Sequence, residues 1–357
     1  MAVNLATKYA KQFAAAFAPT SYFKGKVSEA YKFDGVKKIV IQSPLTTPLT
    51  DYTRTGVDRY GTPTEMDTVV QEMELTQDKA FTKILDRGNY SDSMMAVSAG
   101  NWMSEQIKQI ATPETEKYAI RQWIRDGGSV TASEKPTKQT IVEVFAKAVE
   151  KLDDAFAPGE DRYLYVSAEM YKNLSLSNEF LGLERLGEQA LSKGVVGEFE
   201  GAKIVKVPTS YMPEDCYGFL ACKDSILLPR KISTFKTHTN PPGIDGWLME
   251  GRLWFDAFVL GAKANGVCAI VLSSKKQTTP SITVGSGNVT IASANAAKIL
   301  YTLDGTDPRF NPKAEVYAAA LDTSGWEAGK HLVRAVAYGG ASTPFTSDIA
   351  QKEISIS

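Results

Sequence analysis

The sequence contains little histidine and little cysteine, which limits the chemistry that it can support. Of its 357 residues, two are histidines and three are cysteines, Cys216, Cys222 and Cys268. An odd number of cysteines without a CxxC spacing is a poor framework for disulfides or for a structural zinc site. We therefore expect the cysteines to be small buried residues in a reducing compartment, and we expect neither a metal site nor a cofactor.

The sequence also lacks an excess of either charge and a long apolar run. Forty basic residues are balanced by 41 acidic ones, whereas sequence-specific nucleic-acid binding needs a basic excess or stripe. The apolar stretches fall short of the roughly eighteen residues that a membrane span requires. An N-terminal run, residues 13–18, is too short for a secretory signal and favours an amphipathic helical arm. These features predict a cytoplasmic protein with no membrane partner.

Residue patterns typical of enzymes are missing or have simpler explanations. His238 lies in FKTHTNPPGIDG, and the sequence has no GxSxG motif to supply a nucleophile. Glycoside hydrolysis uses two carboxylates, but the pairs Asp153-Asp154 and Glu160-Asp161 border a helix end and a turn, where solvated charges are common. His238 is therefore predicted to be a turn or interface residue, and the chain is predicted not to be an enzyme.

The N-terminal half contains two extended stretches separated by a polar segment. VKKIVIQS and TVVQEMEL, residues 36–43 and 68–75, have the character of strands, and the second alternates apolar and polar residues. Two extended arms with so little apolar density are not stable alone. The pattern therefore predicts a long hairpin that lies on another subunit.

The longest helical pattern follows this hairpin and covers residues 91–125. Ser91 or Asp92 is its predicted N-cap, and Gly127 with Gly128 its predicted end. Pro113 is expected to break the helix or to begin a second one.

Helices and strands alternate irregularly up to residue 272. KQTIVEVFAKAVEKLDDAF has a clean apolar stripe at helical spacing, RYLYVS reads as a strand, and AEMYKNLSL as a short helix. EFEGAKIVKVP predicts two strands joined by a tight turn at Gly201, and three further strands follow. Without a repeating βαβ order, the pattern predicts an α+β fold rather than a doubly wound one.

The C-terminal quarter has a different composition. SSKKQTTPS, residues 273–281, is polar and contains a proline, which indicates a linker. Six short stretches after it, SITVG, NVTIAS, KILYTLD, EVYAAAL, HLVRAVAY and DIAQKEISI, fit a small β-sandwich of immunoglobulin type without a disulfide. Asp304 and Asp307 in DGTDP are interpreted as turn formers; a cation bound by these acids is the alternative.

Several segments, taken in order, resemble the major capsid protein of tailed bacteriophages, the HK97-like family. LTDYTRTG with the strands after it resembles that family's extended loop, and the stretch from ILDRGNY to RQWI resembles its spine helix. Within it, ATPETEKY is similar to a Pro-Glu-x-Asp-x-Tyr stretch common in the family, with Glu116 where Asp is usual. GVVGEFEGAKIVKVPTSYMP and PPGIDGWLMEGRLWFDAFVLGAKANGV resemble later strands of its axial and peripheral domains. Together they cover approximately residues 20–272.

The tail resembles a different family. KILYTLDGTDPRF, VYAAALDTSG and GKHLVRAVAYGGASTPFTS look like the Ig-like C-terminal domain of chitobiase-type enzymes, an accessory sandwich without catalytic acids. The two resemblances imply an α+β, HK97-like capsid fold followed by an Ig-like β-sandwich. The expected division is 1–35 for an N-terminal arm, 36–272 for the capsid core, with an extended loop about 43–76, a spine helix about 91–125 and an axial domain about 137–225, then 273–281 for a linker and 282–357 for the Ig-like sandwich.

The resemblance to capsid proteins implies a function in the virion. It implies self-assembly, in the cytoplasm of a bacterial host, into an icosahedral shell of hexamers and pentamers around phage double-stranded DNA, which the balanced charge would contact weakly and non-specifically. A separate scaffolding protein and a portal are implied partners. The Ig-like domain would be displayed outside, and deletion of residues 276–357 is expected to leave assembly intact. The candidate intersubunit contacts are Asp51, Arg54, Asp58 and Arg59; solvated loop charges are the alternative.

Two other functions compete with the capsid hypothesis. One is a glycan-active enzyme whose sandwich is an accessory module, and the other is a surface adhesin or glycan-binding protein. The lack of a secretory signal and of a (β/α) barrel pattern argues against the enzyme. Contact of the Ig-like domain with a glycan or a host surface stays open.

Overall fold

The fold consists of a larger mixed unit, here called the core unit (residues 21–272), and a smaller all-β unit, the C-terminal unit (residues 276–356). The computed structural model describes residues 21–31, 33, 36–45, 49, 51–55, 57, 59–60, 66, 68–92, 99–177, 195–285, 287–327 and 329–356. The helical arm predicted near the N terminus lies outside these residues. The core unit contains β1 (Lys38–Pro44), β2 (Thr68–Glu74), β3 (Gln77–Asp86), α1 (Arg87–Asp92), α2 (Ala99–Gln106), a π turn (Ile107–Ala111), α3 (Thr112–Asp126), β4 (Gly128–Ala132), α4 (Ile141–Asp154), β5 (Arg162–Ser167), α5 (Ala168–Ser175), β6 (Val195–Phe199), β7 (Ala202–Val207), β8 (Cys216–Cys222), β9 (Ile226–Leu227), β10 (Arg230–Thr239), β11 (Gly246–Phe255), β12 (Phe258–Val259) and β13 (Val267–Leu272).

A six-stranded mixed sheet, in the order β4-β13-β8-β5-β7-β6, lies at the centre of the core unit. Successive side chains of a strand point to opposite faces, so on β5 Tyr163 and Tyr165 join one apolar cluster and Leu164 and Val166 the other. Helix α3 packs on the first face, and the apolar stripe of α4 packs on the second. Both faces are therefore covered, which explains why every residue of β5 is buried.

Helical structure runs without a break from α2 through the π turn into α3, so a break at Pro113 is wrong, whereas the alternative prediction of a second helix is confirmed, because α3 begins at Thr112 with the proline in its first turn. The amide of Thr112 donates to the carbonyl oxygen of Ile107, five residues back. Such a π turn shifts the hydrogen-bond pattern immediately before the proline, which has no amide hydrogen to contribute. The chain therefore absorbs the proline within one continuous rod.

The start predicted for this helix is also wrong, whereas its end is confirmed. Ser91 and Asp92 are not caps but members of α1, which follows the carboxylate of Asp86; that carboxylate accepts a hydrogen bond of 2.8 Å from the amide of Gly88. Helix α3 ends where its pattern predicts, at Gly127. A Cβ atom at Gly127 would lie 2.6 Å from Cγ1 of Val267, so the close approach of β13 requires glycine there.

Two local predictions for the core unit are confirmed. Strands β6 and β7 form an antiparallel pair joined by Glu200 and Gly201, both in the left-handed region at φ 45° and 79°. The three cysteines are buried and free. Burial raises the pKa of the Cys216 thiol to about 12 and that of Cys268 to about 11, so both stay protonated as small apolar residues.

The C-terminal unit is a sandwich of two small sheets, with strand orders β14-β15-β18 and β17-β16-β19-β20. Val289 and Ile291 from the first sheet share one apolar cluster with Tyr301, Val333 and Ile354 from the second. The continuous strand predicted for EVYAAAL is wrong, because only Glu315 and Val316 at its start and Leu321 at its end pair. The strands of the C-terminal unit are β14 (Ser281–Gly285), β15 (Asn288–Ala292), β16 (Ala296–Thr302), β17 (Glu315–Val316), β18 (Leu321–Asp322), β19 (Gly329–Gly339) and β20 (Ala350–Ile356).

Candidate assembly interface

The strands β1 and β2, with the segment between them, form what we call the extended hairpin (residues 36–76). In the described part of the chain β1 and β2 pair only with each other, in antiparallel register from Lys38 opposite Glu74 to Pro44 opposite Thr68. A two-stranded sheet is marginally stable alone in water. Beyond its base, the described part of the extended hairpin therefore has no third strand to support it.

Apolar side chains are unusually exposed along this hairpin. Of the 14 large apolar side chains that are exposed among the described residues, eight lie between Val36 and Met66. Leu49 and Val57 are almost fully exposed, at 102% and 97%. Scattered apolar surface residues are normal, but a concentration of them marks an interaction surface. This surface is the candidate interface.

A buried carboxylate fixes the base of the hairpin. Asp256 follows β11 and is 4% exposed. Its Oδ2 accepts hydrogen bonds from the amide and the hydroxyl of Thr76, at 2.8 and 2.7 Å, and its Oδ1 accepts from the Tyr118 hydroxyl and the Ala257 amide, each at 2.8 Å. Four donors satisfy the carboxylate fully. Asp256 thereby ties the hairpin base to helix α3.

A buried amide supplies a second anchor. The Gln71 side chain donates to the carbonyl oxygen of Val259 and accepts from the amide of Gly261, both at 2.8 Å. The residues that follow it along the chain, Met73 and Leu75, pack in a buried cluster with Leu227. The hairpin is therefore rigidly rooted in the core unit although its far part is uncovered.

A third buried group holds the segment that precedes the hairpin. Oε1 of Glu116, on α3, accepts hydrogen bonds from the Ser21 hydroxyl at 2.6 Å and the Tyr22 amide at 3.0 Å. The next residue, Phe23, packs edge-on against Trp123 with ring centroids 4.9 Å apart. Burial raises the pKa of Glu116, so its neutral form is favoured relative to an exposed glutamate.

The four charged residues predicted as intersubunit contacts belong to the extended hairpin. Asp51 and Arg54 are exposed, and neither forms an ion pair with another described residue. Arg59 is exposed, and its carbonyl oxygen accepts a hydrogen bond of 3.1 Å from the Thr53 amide. Asp58 lies outside the described residues. Their role between subunits stays a prediction.

The sequence pattern predicts neither the exposed apolar residues of the extended hairpin nor its anchor, Asp256. Leu49 and Val57 stand singly in a polar stretch, so they produced no periodic signal. Asp256 had a visible signal, because an acid between aromatic residues in WFDAF must find buried partners. That signal alone does not identify Thr76, which is 180 residues away in sequence.

His238 and the acidic residues Asp153 and Asp161 contact other side chains of the chain. His238 lies within strand β10, so its prediction as a turn residue is wrong, while the alternative, an interface residue, stays a prediction; its Nε2 lies 3.3 Å from Oε2 of Glu250 on β11. Asp153 pairs with Arg162 at 2.6 Å, and Asp161 pairs with Lys203 at 3.1 Å. The described ranges contain no group of three or more histidine, cysteine or acidic residues that could hold a metal ion. None of their helices is long and apolar enough to span a membrane.

The DGTDP segment is a turn, as predicted. Oδ1 of Asp304 accepts hydrogen bonds from the amide and hydroxyl of Thr306, at 3.0 and 2.6 Å, and Gly305 adopts a φ of 73°. Asp307 forms an ion pair of 2.7 Å with Arg309. Both acids are therefore engaged within the turn.

Comparison with known proteins identifies the fold. No family profile and no curated protein matches the chain. A chain from Mycobacterium phage Che8 matches with a TM-score of 0.60 at 15% identity, covering 76% of this chain and 98% of its own. Chains from the capsid of cyanophage P-SCSP1u (TM-score 0.59, 13% identity, 76% and 93% covered) and from the mature capsid of bacteriophage PhiM1 (0.60, 11%, 76% and 92%) match similarly. The chain has the α+β fold of these phage structures, two of which are capsids.

Proposed function

We propose that this chain is the major capsid protein of a tailed bacteriophage and assembles with copies of itself into an icosahedral shell around double-stranded DNA. The extended hairpin carries this proposal. Buried hydrogen bonds root it at Asp256 and Gln71, yet it exposes eight large apolar side chains among its described residues. A rooted arm with an uncovered apolar surface is suited to lie on a neighbouring subunit. The phage capsid fold supports the same proposal.

Copies of the chain would form hexamers and pentamers. In a ring, each subunit offers one surface to the next and a different surface to the previous one, and this heterologous contact closes if the rotation fits. The hairpin is one such surface. Asp51, Arg54, Asp58 and Arg59 would surround the apolar contacts with charges, which favour correct orientation more than affinity.

Further partners follow from the same proposal. We infer a separate scaffolding protein and a portal, and assembly in the cytoplasm of a bacterial host before the protein becomes part of the virion. The net charge of −1 suits only weak contact with packaged DNA, because affinity for phosphates grows with the number of basic contacts.

Charge substitutions on the hairpin test the proposal. In Leu49→Glu and Val57→Glu, a charge would have to enter the proposed intersubunit contact, whereas both positions are almost fully exposed in the single chain. We expect wild type to sediment as large particles and both variants to remain subunits or small oligomers with an unchanged unfolding temperature.

The matched control is Val316→Glu, at an apolar position on β17 of the C-terminal unit that is 57% exposed. This variant should assemble as wild type does. If the two hairpin variants also assemble normally, the hairpin is not the interface. If wild type itself yields only small species with a scaffolding protein present, the capsid function is wrong.

A further inference from the structure

The C-terminal unit contacts the core unit through several segments, of which the loop of residues 304–311 is here called the docking loop. It places Arg309, whose side chain is 7% exposed, against the end of helix α3. Nη1 of Arg309 donates to the carbonyl oxygens of Asp126 and Gly127, at 3.0 and 2.9 Å. The last carbonyls of a helix have no partner within it, and they form its negative end. Arg309 therefore supplies donors to these carbonyls and adds its positive charge to that of Arg125 in the last turn, while the Thr346 hydroxyl donates to the Arg125 carbonyl oxygen at 2.8 Å.

The docking loop holds this guanidinium in place. Asp307 accepts from Nε and Nη2 of Arg309, so the buried charge is paired. The side-chain amide of Asn311 donates to the Thr306 hydroxyl at 2.6 Å and to Asp304 at 3.2 Å, closing the loop on itself. A preorganised bidentate pair of this kind is among the stronger hydrogen-bonding arrangements in proteins.

Apolar contacts accompany the polar ones. Phe345 of the C-terminal unit is 4% exposed and belongs to the same buried cluster as Trp123 and Val267 of the core unit. Phe310 packs on Gly261, where a Cβ atom would lie 3.0 Å from Phe310 and 3.3 Å from Oε1 of Gln71. The docking loop thus contacts Gly261, whose backbone amide donates to the side chain of Gln71 in the extended hairpin.

The segment predicted as a linker is fixed as well. Nζ of Lys276 donates to the Ser129 carbonyl oxygen at 3.2 Å and pairs with Asp348 at 2.5 Å. The amide of Gln277, a residue that is 2% exposed, donates to the carbonyl oxygen of Phe345 at 2.9 Å. Flexible linkers leave neighbouring domains free to move, whereas the bond from Lys276 to Ser129 and the ion pair of Lys151 with Asp348 at 3.2 Å join the two units here.

We propose that the C-terminal unit is an intramolecular clamp, in which Arg309 positions the end of helix α3 and Phe310 supports the hairpin anchor. The unit then serves the stability of the subunit and, on the proposed capsid function, its assembly. Deletion of residues 276–357 would remove Phe345 and expose the apolar cluster of the core unit against which it packs. It would also remove the donors that Arg309 supplies to the end of α3. This inference replaces the expectation from sequence that the deletion leaves assembly intact.

Hydrogen exchange of the full-length protein tests the clamp without reference to assembly. In Arg309→Gln, amides of the last two turns of α3 should exchange at least about tenfold faster than in wild type, because a buried charged hydrogen bond is lost. The matched control is Arg334→Gln, whose guanidinium bonds Gln351 within the C-terminal unit at 3.0 Å; there the same amides should keep the wild-type rate. Equal exchange in Arg309→Gln and wild type would overturn the proposal.

A conservative variant and an assembly measurement complete the test. Arg309→Lys keeps the positive charge but not the planar guanidinium group. The amides of α3 should therefore exchange faster than in wild type but more slowly than in Arg309→Gln. If Arg309→Gln does not fold, the exchange rates of Arg309→Lys test the proposal, and rates equal to those of wild type would overturn it. Particle yield should fall in Arg309→Gln but not in Arg334→Gln; an unchanged yield would refute the role in assembly. If wild type forms no particles, the capsid function fails while the exchange rates still judge the clamp.

Discussion

At the scale of single residues, Glu116 shows how one buried group joins parts of the chain that are far apart in sequence. The motif ATPETEKY pointed to this position, but its partners Ser21 and Tyr22, about 95 residues earlier, leave no local pattern. Oε2 of Glu116 is buried without a hydrogen-bond partner among the described residues, as are the hydroxyls of Tyr165 and Tyr211. A protonated Oε2 could donate, so this environment suits the neutral acid.

The pH dependence of stability tests this interpretation. Folding raises the pKa of Glu116 above its ordinary value of 4.5, chiefly through burial, although the hydrogen bonds from Ser21 and Tyr22 and the charge of Arg230 oppose the shift. Its contribution to stability is therefore complete below about pH 4.5 and is lost as pH rises through the raised pKa. Glu116→Gln keeps the neutral shape, so the stability of wild type relative to this variant should fall as pH rises, as measured by urea unfolding.

The other titratable groups that couple to Glu116 are Lys26, Arg230, Tyr22, Tyr165 and Tyr211. Burial raises the pKa of each of the three tyrosines above its ordinary value of 10, so they stay neutral in the acidic range in both proteins. Glu114→Gln, at an exposed position of the same helix, is the control and should not reproduce the trend. A difference between wild type and Glu116→Gln that is independent of pH would contradict the account.

At the scale of elements, the sequence predicts helices whose apolar residues recur at a regular spacing. It does not predict strands that form only because a distant strand pairs with them. Helix α4 was evident because its apolar residues recur on one face and five of them are buried. Strand β10, by contrast, was missed because KISTFKTHT is largely polar; it is a strand because β11 pairs with it from Arg230 to Thr239. Tertiary pairing outweighs intrinsic preference in such strands.

The anchoring of the hairpin element can be tested at Asp256. Each carboxylate oxygen of Asp256 accepts two hydrogen bonds. In Asp256→Asn an NH2 group replaces one of these oxygens. The two groups that donate to that oxygen would then face another donor. We expect a loss of about 3 kcal/mol in the free energy of unfolding, typical of breaking a buried charged network. Chemical denaturation measures this loss.

Asp78→Asn is the matched control for the anchor. Asp78 forms an exposed two-pronged pair with Arg252 on β11, at 2.9 and 2.6 Å. An exposed ion pair contributes little to stability because water and salt screen it, so this variant should unfold at nearly the same denaturant concentration as wild type. Similar losses in the two variants would show that Asp256 does not anchor the hairpin.

At the scale of the whole molecule, the order of motifs pointed to the fold, while the docking of its two units was invisible in the sequence. DGTDP was correctly predicted as a turn from its own residues. That the next residue, Arg309, caps a helix 183 residues earlier could not be predicted, because contacts at such separation leave no periodic or compositional trace. The structure thus changes the C-terminal unit from a loose appendage to a fastened part of the subunit.

Electron microscopy of the assembled protein tests the central proposal most directly. The full-length chain, purified alone and after co-expression with a scaffolding protein, would be examined by negative stain. The account predicts closed shells of uniform size, built from rings of five and six subunits. Only monomers or small oligomers under both conditions would contradict it.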